Sequence, residues 1–265
     1  MQPAYQAPTV KENPGFEILY WIGCAGSYDR RAQRVSRAMV KLLQTAGVSF
    51  AILGREEKCT GEVARRLGDE FLFQELAQAN IATLTQAKAR KILTHCPHCF
   101  NTFRQDYPQF GGDYEVVHHT QFLLQLLQAG RLKLPRPAGP GGGPVTYHDP
   151  CYLARVNGVH AAPRDVLRAL LADTDSGAAG QFREMSRREA KTFCCGAGGG
   201  RMWMEEDPKH RVSTERAREA LATGAKTVAV GCPFCLTMMS DGVAAQGQEA
   251  RVLDVAELLA ERMGL

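Results

Sequence analysis

The chain has 265 residues, of which 45% are apolar, enough to bury one large core or two of ordinary size. Its net charge of +4 is mild and its lysines and arginines are scattered, so the basic footprint of a nucleic-acid binder is missing. No run approaches the ~20 apolar residues of a membrane helix, residues 1–15 lack the features of a signal peptide, and the chain reads as cytoplasmic, where nine cysteines point to metal or redox chemistry more than to structural disulfides.

Residues 1–15 are Pro-rich and aperiodic and read as a flexible tail. The apolar, aromatic run over 16–21 predicts a strand that leads into Gly23-Cys24. A helix is expected over 29–46, with Val35, Ala38, Met39, Leu42 and Leu43 on one face and Gly47 as its stop. A strand over 48–53 precedes the turn Cys59-Thr60-Gly61, and a long helix over 69–90 carries Phe71, Leu72, Leu76, Ile81 and Leu84. Strand 91–94 then delivers His95-Cys96-Pro97-His98-Cys99, and strand 114–117 leads to His118-His119 and a helix over 120–129. Residues 135–144 have the Gly/Pro composition of a linker.

The pattern then restarts. A strand over 145–147 ends near Cys151; a helix covers 163–171; a weaker strand over 182–185 precedes Cys194-Cys195. A helix over 208–222, a strand over 227–230 before Cys232-Pro233-Phe234-Cys235, the apolar pair Val252-Leu253 and a helix over 255–263 complete it. Cys59 and Cys195, Cys96 and Cys232, and Cys99 and Cys235 are each 136 residues apart, which implies an internal duplication with repeats over 16–134 and 145–265. Cys24 and Cys151 are 127 apart, a difference assigned to a longer connection over 173–190. Strands alternating with helices imply an α/β fold of two βα-repeat units with mainly parallel sheets, in which ligands bind beyond the carboxyl ends of the strands. Every cysteine motif falls there.

Adjacent Cys194 and Cys195 cannot easily bridge each other, whereas a polynuclear cluster accepts two thiolates from one tight turn. The glycines after them let backbone N–H groups approach an anionic centre. Four thiolates per site suit zinc or an iron–sulfur cluster, so ligand softness alone does not choose. Zinc ribbons draw two CxxC pairs from nearby hairpins, while each repeat here has one, and five cysteines in the second repeat exceed the needs of one tetrahedral zinc. The glycines over 196–200 do not make a dinucleotide fingerprint, because the third glycine is misplaced and no acidic residue follows at the required distance on a strand.

The double pattern of Cys24, Lys58-Cys59-Thr60-Gly61 and Cys96-Pro97-His98-Cys99, then Cys151, Cys194-Cys195-Gly196 and Cys232-Pro233-Phe234-Cys235, resembles the cysteine-rich CCG-domain proteins. These include the cysteine-rich subunit of heterodisulfide reductase and iron–sulfur subunits of glycolate, lactate and glycerol-3-phosphate oxidation. The resemblance covers residues 16–263. Within the family, Trp21-Ile22-Gly23-Cys24-Ala25-Gly26 and residues 193–204 most resemble the C-terminal part of membrane-bound electron-transfer-flavoprotein:menaquinone oxidoreductases. The resemblance implies that Cys151, Cys194, Cys195, Cys232 and Cys235 hold a non-cubane 4Fe-4S cluster. It leaves Cys24, Cys59, Cys96 and Cys99 for a cubane one, with Lys58 standing where the family has the first cysteine of the pair. It further implies an electron relay from an electron-transfer flavoprotein or flavin dehydrogenase toward a membrane quinone-reducing partner, with the chain peripheral at the inner face of the membrane. The rival it implies is direct reduction of a disulfide at the five-cysteine cluster; a zinc-stabilised interaction module is the reading without redox change. No catalytic residue is assigned.

Around these motifs, His95 and His98 either hydrogen-bond to sulfur and move protons or only complete their loop. His118-His119 is expected to be a packed or solvated pair. His148 and Asp149 shape the turn before Cys151, with Asp149 a candidate helix cap. Arg155 and Arg201 either offset cluster charge or are solvated, and Met202, Trp203 and Met204 are expected to cover the second site.

Overall fold

The computed structural model describes residues 6–135, 143–172, 182–207 and 210–265, and the chain divides into two compact units, Met1–Leu132 and Lys133–Leu265. In the first, Ile18–Trp21 forms β1; four consecutive buried side chains suit a strand covered on both faces of a parallel sheet. A short helix α1 (Gly23–Tyr28) and the amphipathic α2 (Ala32–Thr45) follow, the latter burying Val35, Met39, Leu42 and Leu43. Then come β2 (Phe50–Ala51), α3 (Glu62–Arg66), α4 (Glu70–Gln86), β3 (Lys91–Thr94), α5 (Pro97–Asn101), β4 (Glu115–His118) and α6 (His119–Gln128). The strand order is β2-β1-β3-β4, with every pair parallel.

The second unit contains β5 (Val145–Tyr147), α7 (Ala161–Leu171), β6 (Phe182–Arg183), α8 (Val212–Ala222), β7 (Thr227–Val230), α9 (Pro233–Ala244), β8 (Arg251–Asp254) and α10 (Val255–Arg262). Its order is β6-β5-β7-β8, again all parallel, so the two sheets share one topology. In each sheet the chain steps from its first strand to one side and then crosses back to place its third strand on the other. The first and third strands are therefore neighbours whose connections leave in opposite directions, which opens a crevice at their carboxyl ends. Cys24 follows β1 and Cys96 follows β3; Cys151 follows β5 and Cys232 follows β7.

Several local expectations are corrected. Part of the expected tail docks on the sheet edge: Thr9 bridges Ile52 in parallel and Asn13 Nδ2 donates to Phe50 O at 3.0 Å, which satisfies an edge otherwise left open. In α4, Phe71 points outward at 90% exposure, and the buried stripe is Phe73, Ala77, Asn80 and Leu84. Both Cys-Pro-x-Cys motifs, to which the sequence assigned no element, start helices, with extended Cys96 and Cys232 as N-caps. Pro97 and Pro233 occupy the first helical positions, where the missing proline N–H costs nothing. Most of the expected linker (136–142), half of the long connection (173–181) and the expected start of the helix at 208–209 lie outside the described residues.

Candidate metal centres

In the first unit β1 carries the chain into α1 and Cys24, the loop before α3 carries Cys59, and β3 delivers Cys96 and Cys99 on α5. All nine cysteines are free thiols. Cys24 hydrogen-bonds Cys59, Cys96 hydrogen-bonds Cys99, and Cys99 in turn lies in the field of Cys24 and Cys59, so four sulfurs from three segments form one group. The Cys24 thiol draws Cys59 down to about 6, helped by Gly61 N–H at 3.4 Å, and the same bond pushes Cys24 up. Burial pushes Cys96 up, but the bond from Cys99 and the nearby His98 outweigh it and leave it at about 7, while Cys99 is pushed up. Each pair thus shares a proton and keeps one sulfur close to the thiolate form that binds metals.

The surroundings hold these segments in place. Glu57 accepts N–H bonds from Ile22 at 3.1 Å and Gly23 at 2.5 Å, which ties the loop before Cys59 to the end of β1; burial pushes its carboxyl up to about 7. His98 is buried against Glu62 at 3.3 Å, and His95 Nδ1 lies 2.8 Å from Tyr20 Oη. Both histidines therefore pair with side chains of the first unit. His118 and His119 are a buried packed pair with ring centroids 4.4 Å apart, His118 also meeting Thr120 Oγ1 at 2.8 Å.

In the second unit Cys151 Sγ lies 4.0 Å from Cys194 Sγ, and Cys195 Sγ lies 3.3 Å from Cys235 Sγ. Cys232 acts electrostatically on Cys151, Cys195 and Cys235, so all five sulfurs converge. Hydrogen bonds from Cys151 and Cys195 draw the Cys194 thiol far down, with Gly196 N–H added at 3.2 Å; Cys151, Cys195 and Cys235 are pushed up. Gly196 has φ +95°, a left-handed conformation, and a Cβ there would stand 3.1 Å from Val212 Cβ.

Comparison of the two turns corrects the alignment drawn from spacing. Cys59 and Cys194 each accept the N–H of a left-handed glycine two residues on, Gly61 and Gly196. The intervening residue then meets the last cysteine of its unit: Cys195 faces Cys235, and Thr60 Oγ1 faces Cys99 Sγ at 3.8 Å. Thr60, not Lys58, therefore occupies the place of the fifth cysteine. Lys58 is exposed.

Other expected roles divide. Asp149 caps no helix; its buried carboxylate accepts both Nη atoms of Arg164 at 2.7 and 2.8 Å and Glu189 N–H at 2.9 Å. Arg155 donates to Thr192 O beside Cys194, whereas Arg201 pairs with Glu206 at 2.6 Å. Trp203 meets Phe234 edge-on with centroids 6.0 Å apart but stays 62% exposed, so the expected cover is partial. Two residues escaped the sequence reading. Arg216 on α8 is fully buried and donates through Nε to His148 Nδ1 at 2.9 Å; Arg164 on α7 holds Asp149. Nothing in a helical arginine's local pattern distinguishes such roles from a solvated one.

A ring nitrogen of His148 and the sulfurs of Cys195 and Cys235 lie within 4.8 Å of one another and are all buried. Arginine offers only donors, so Nδ1 is the unprotonated nitrogen and Nε2 carries the hydrogen. His148 is therefore a donor here rather than a metal ligand; burial and Arg216 also push its pKa down to about 3. Free thiols in groups of four and five, aided by backbone N–H groups, suit soft thiolate-bound clusters, and five exceed what one tetrahedral ion takes.

A family model described as a cysteine-rich domain, CCG, matches residues 18–104 and 145–240. A probable iron-sulfur-binding oxidoreductase, FadF, of Bacillus subtilis is 46% identical over 98% of this chain and 36% of its own length. The EtfAB:quinone oxidoreductase of Syntrophomonas wolfei is 44% identical over 94% of this chain and 34% of its own length. A subunit of the dihydromethanophenazine:CoB--CoM heterodisulfide reductase of Methanosarcina barkeri is 37% identical over 99% of this chain and 63% of its own length. The chain thus spans about a third of the first two relatives. A glutamate racemase structure from Francisella tularensis, 11% identical over 94% of this chain and 79% of that one, has a TM-score of 0.36, too low to carry an argument.

Proposed function

This chain belongs to the cysteine-rich CCG domain family, with one matched segment in each unit, and on that footing we propose that it is an iron–sulfur electron-transfer component of an oxidoreductase. The observation that supports this reading is the convergence of nine free thiols, four and five, at the switch points of two sheets of one topology. Cys24, Cys59, Cys96 and Cys99 would hold a cubane 4Fe-4S cluster. Cys151, Cys194, Cys195, Cys232 and Cys235 would hold a second, non-cubane one. The name of the Syntrophomonas wolfei relative, EtfAB:quinone oxidoreductase, supports an electron-transfer flavoprotein as donor and quinone as the direction of flow; a flavin dehydrogenase as the other donor and a quinone-reducing subunit as acceptor belong to the proposal. No helix among the described residues is long and apolar enough to cross a membrane.

Such a cluster, when bound, accepts and returns single electrons. The chain's own residues hold thiolates ready, lend N–H groups from Gly61 and Gly196, and enclose Cys96, Cys99, Cys195, Cys232 and Cys235 away from water. Burial and hydrogen bonding of that kind set how readily a centre is reduced. Iron and sulfide analysis with low-temperature EPR of anaerobically purified protein tests the reading: about eight irons per chain are expected from two four-iron centres. Zinc in their place, with no reversible redox step, would overturn it in favour of a metal-stabilised interaction module.

A second reading, direct disulfide reduction at the five-cysteine site, draws on the partial exposure of Cys151 and Cys194 beside three buried cysteines and on the heterodisulfide reductase relative. Turnover of small disulfides without any flavoprotein would favour it.

A further inference from the structure

In each unit a buried ring N–H beside the cysteines lacks an acceptor among the described residues, Trp21 Nε1 in the first and His148 Nε2 in the second, and the two stand at the same place in the repeat. Trp21 is the last residue of β1, three residues before Cys24, and is fully buried. Its indole is held edge-on by Phe103 with centroids 4.8 Å apart. Nε1 finds no hydrogen-bond partner among the described residues. A Cβ on Gly23 would stand 3.5 Å from Cys99 Sγ and 4.0 Å from Trp21 Nε1, so indole and sulfur border one small space.

His148 follows β5, three residues before Cys151, and its backbone N–H extends the ladder to Ala229 O at 2.9 Å. It too is fully buried. Arg216 fills Nδ1, which leaves the hydrogen on Nε2, and Nε2 has no partner among the described residues. The ring lies within 4.8 Å of Cys195 and Cys235 sulfurs. Buried tryptophan and histidine N–H groups ordinarily find acceptors, and an orphan is costly. The same orphan at the same position in both repeats implies one missing acceptor of one kind.

We propose that Trp21 Nε1–H and His148 Nε2–H are the tuning donors of the first and second centres, each hydrogen-bonded to a sulfur of its cluster. The inference rests on the iron–sulfur reading above. Reduction adds negative charge to the cluster sulfurs, an N–H···S bond strengthens with that charge, and each donor therefore makes its own centre easier to reduce. The indole does this without a formal charge, and Arg216 obliges the imidazole to do the same. Arg216 is thus a positioning residue, acting on the centre through His148.

The test uses the intact chain, purified anaerobically, after iron and EPR have established both centres. The sequence has two tryptophans, so 15N-indole labelling in a Trp203→Phe background reports Trp21 alone. Pulsed EPR of the paramagnetic first centre should show a 15N coupling, and this measurement needs no change at Trp21. Trp21→Phe should abolish the coupling and shift the first midpoint potential downward while leaving the second in place. His148→Leu should lower only the second potential, whereas His148→Gln, which keeps an acceptor for Arg216 and an N–H for sulfur, should restore it. Iron-replete protein without the 15N coupling, or with potentials unmoved in Trp21→Phe and His148→Leu, overturns this inference and leaves the iron–sulfur reading standing. Protein that binds no iron overturns both.

Discussion

Replacing Arg164 with methionine isolates the buried network behind the second centre. Arg164 is 2% exposed and holds the carboxylate of Asp149, which is fully buried, through two bonds at 2.7 and 2.8 Å. It also meets Glu184, at 2.8 and 3.0 Å, but that carboxylate is 28% exposed and its loss is largely repaid by water. In Arg164→Met the Asp149 side chain keeps only the Glu189 N–H at 2.9 Å. Removing one partner of a buried ion pair costs ~3–5 kcal/mol. Over Lys133–Leu265, with unfolding entropy of about 2.1 cal/mol/K per residue, that corresponds to a fall in Tm of roughly 11–18 °C. Asp149 O also accepts Thr192 Oγ1 at 3.0 Å, two residues before Cys194, so iron retention at the second centre should fall with stability. Thermal unfolding followed by circular dichroism, with iron assayed on the same samples, reads both. The double variant Arg164→Met, Asp149→Leu should recover part of the loss, because it leaves no unpaired buried charge. A Tm lowered by less than about 4 °C, the scale of an exposed pair, would refute the reasoning.

Thr60→Cys should place a fifth thiol against Cys99 and turn the EPR spectrum of the first centre toward that of the second; an unchanged spectrum means that Thr60 does not stand where Cys195 does. Cys194→Ala should alter the second-centre signal alone, and identical spectra would count against its place among the ligands. Gly196→Ala combines left-handed strain of roughly 1–2 kcal/mol with a Cβ 3.1 Å from Val212, while Gly199→Ala, at φ +68° with open space, bears only the strain. Urea midpoints should therefore drop further for Gly196→Ala, and equal drops would remove the packing argument. Burial opposes ionisation of Glu219, but Arg187 N–H, Ser186 and Arg216 hold it down to about 2 from an ordinary 4.5. Its contribution is fully present above pH 4.5 and is lost as pH falls toward about 2, so Glu219→Gln should lose stability less steeply across that window than the parent chain. Parallel acid limbs in urea titrations would dismiss it.

The duplicated α/β architecture, the parallel strands and the grouping of the cysteines were legible in the chain because they follow from properties local to it. Apolar runs, helical periodicity and cysteine spacing repeat wherever the unit repeats, and a parallel sheet sends the ends of its strands to one edge. The helices that begin at Cys96-Pro97 and Cys232-Pro233 were missed, although proline at the first helical position is itself a start signal. Which side chain of a turn faces the centre was not legible. Lys58 and Thr60 flank the same cysteine, and the choice between them is made by the left-handed Gly61 and the position of Cys99, 39 residues away. Likewise Phe71 belongs to an apolar helical pattern in the sequence, yet in the fold its side chain is 90% exposed. The hydrogen on His148 was settled by Arg216, 68 residues further along the chain. Spacing constrains where a backbone goes; only packing decides what each side chain meets there, and hydrogen bonds between distant residues leave no periodic trace in the order of the amino acids.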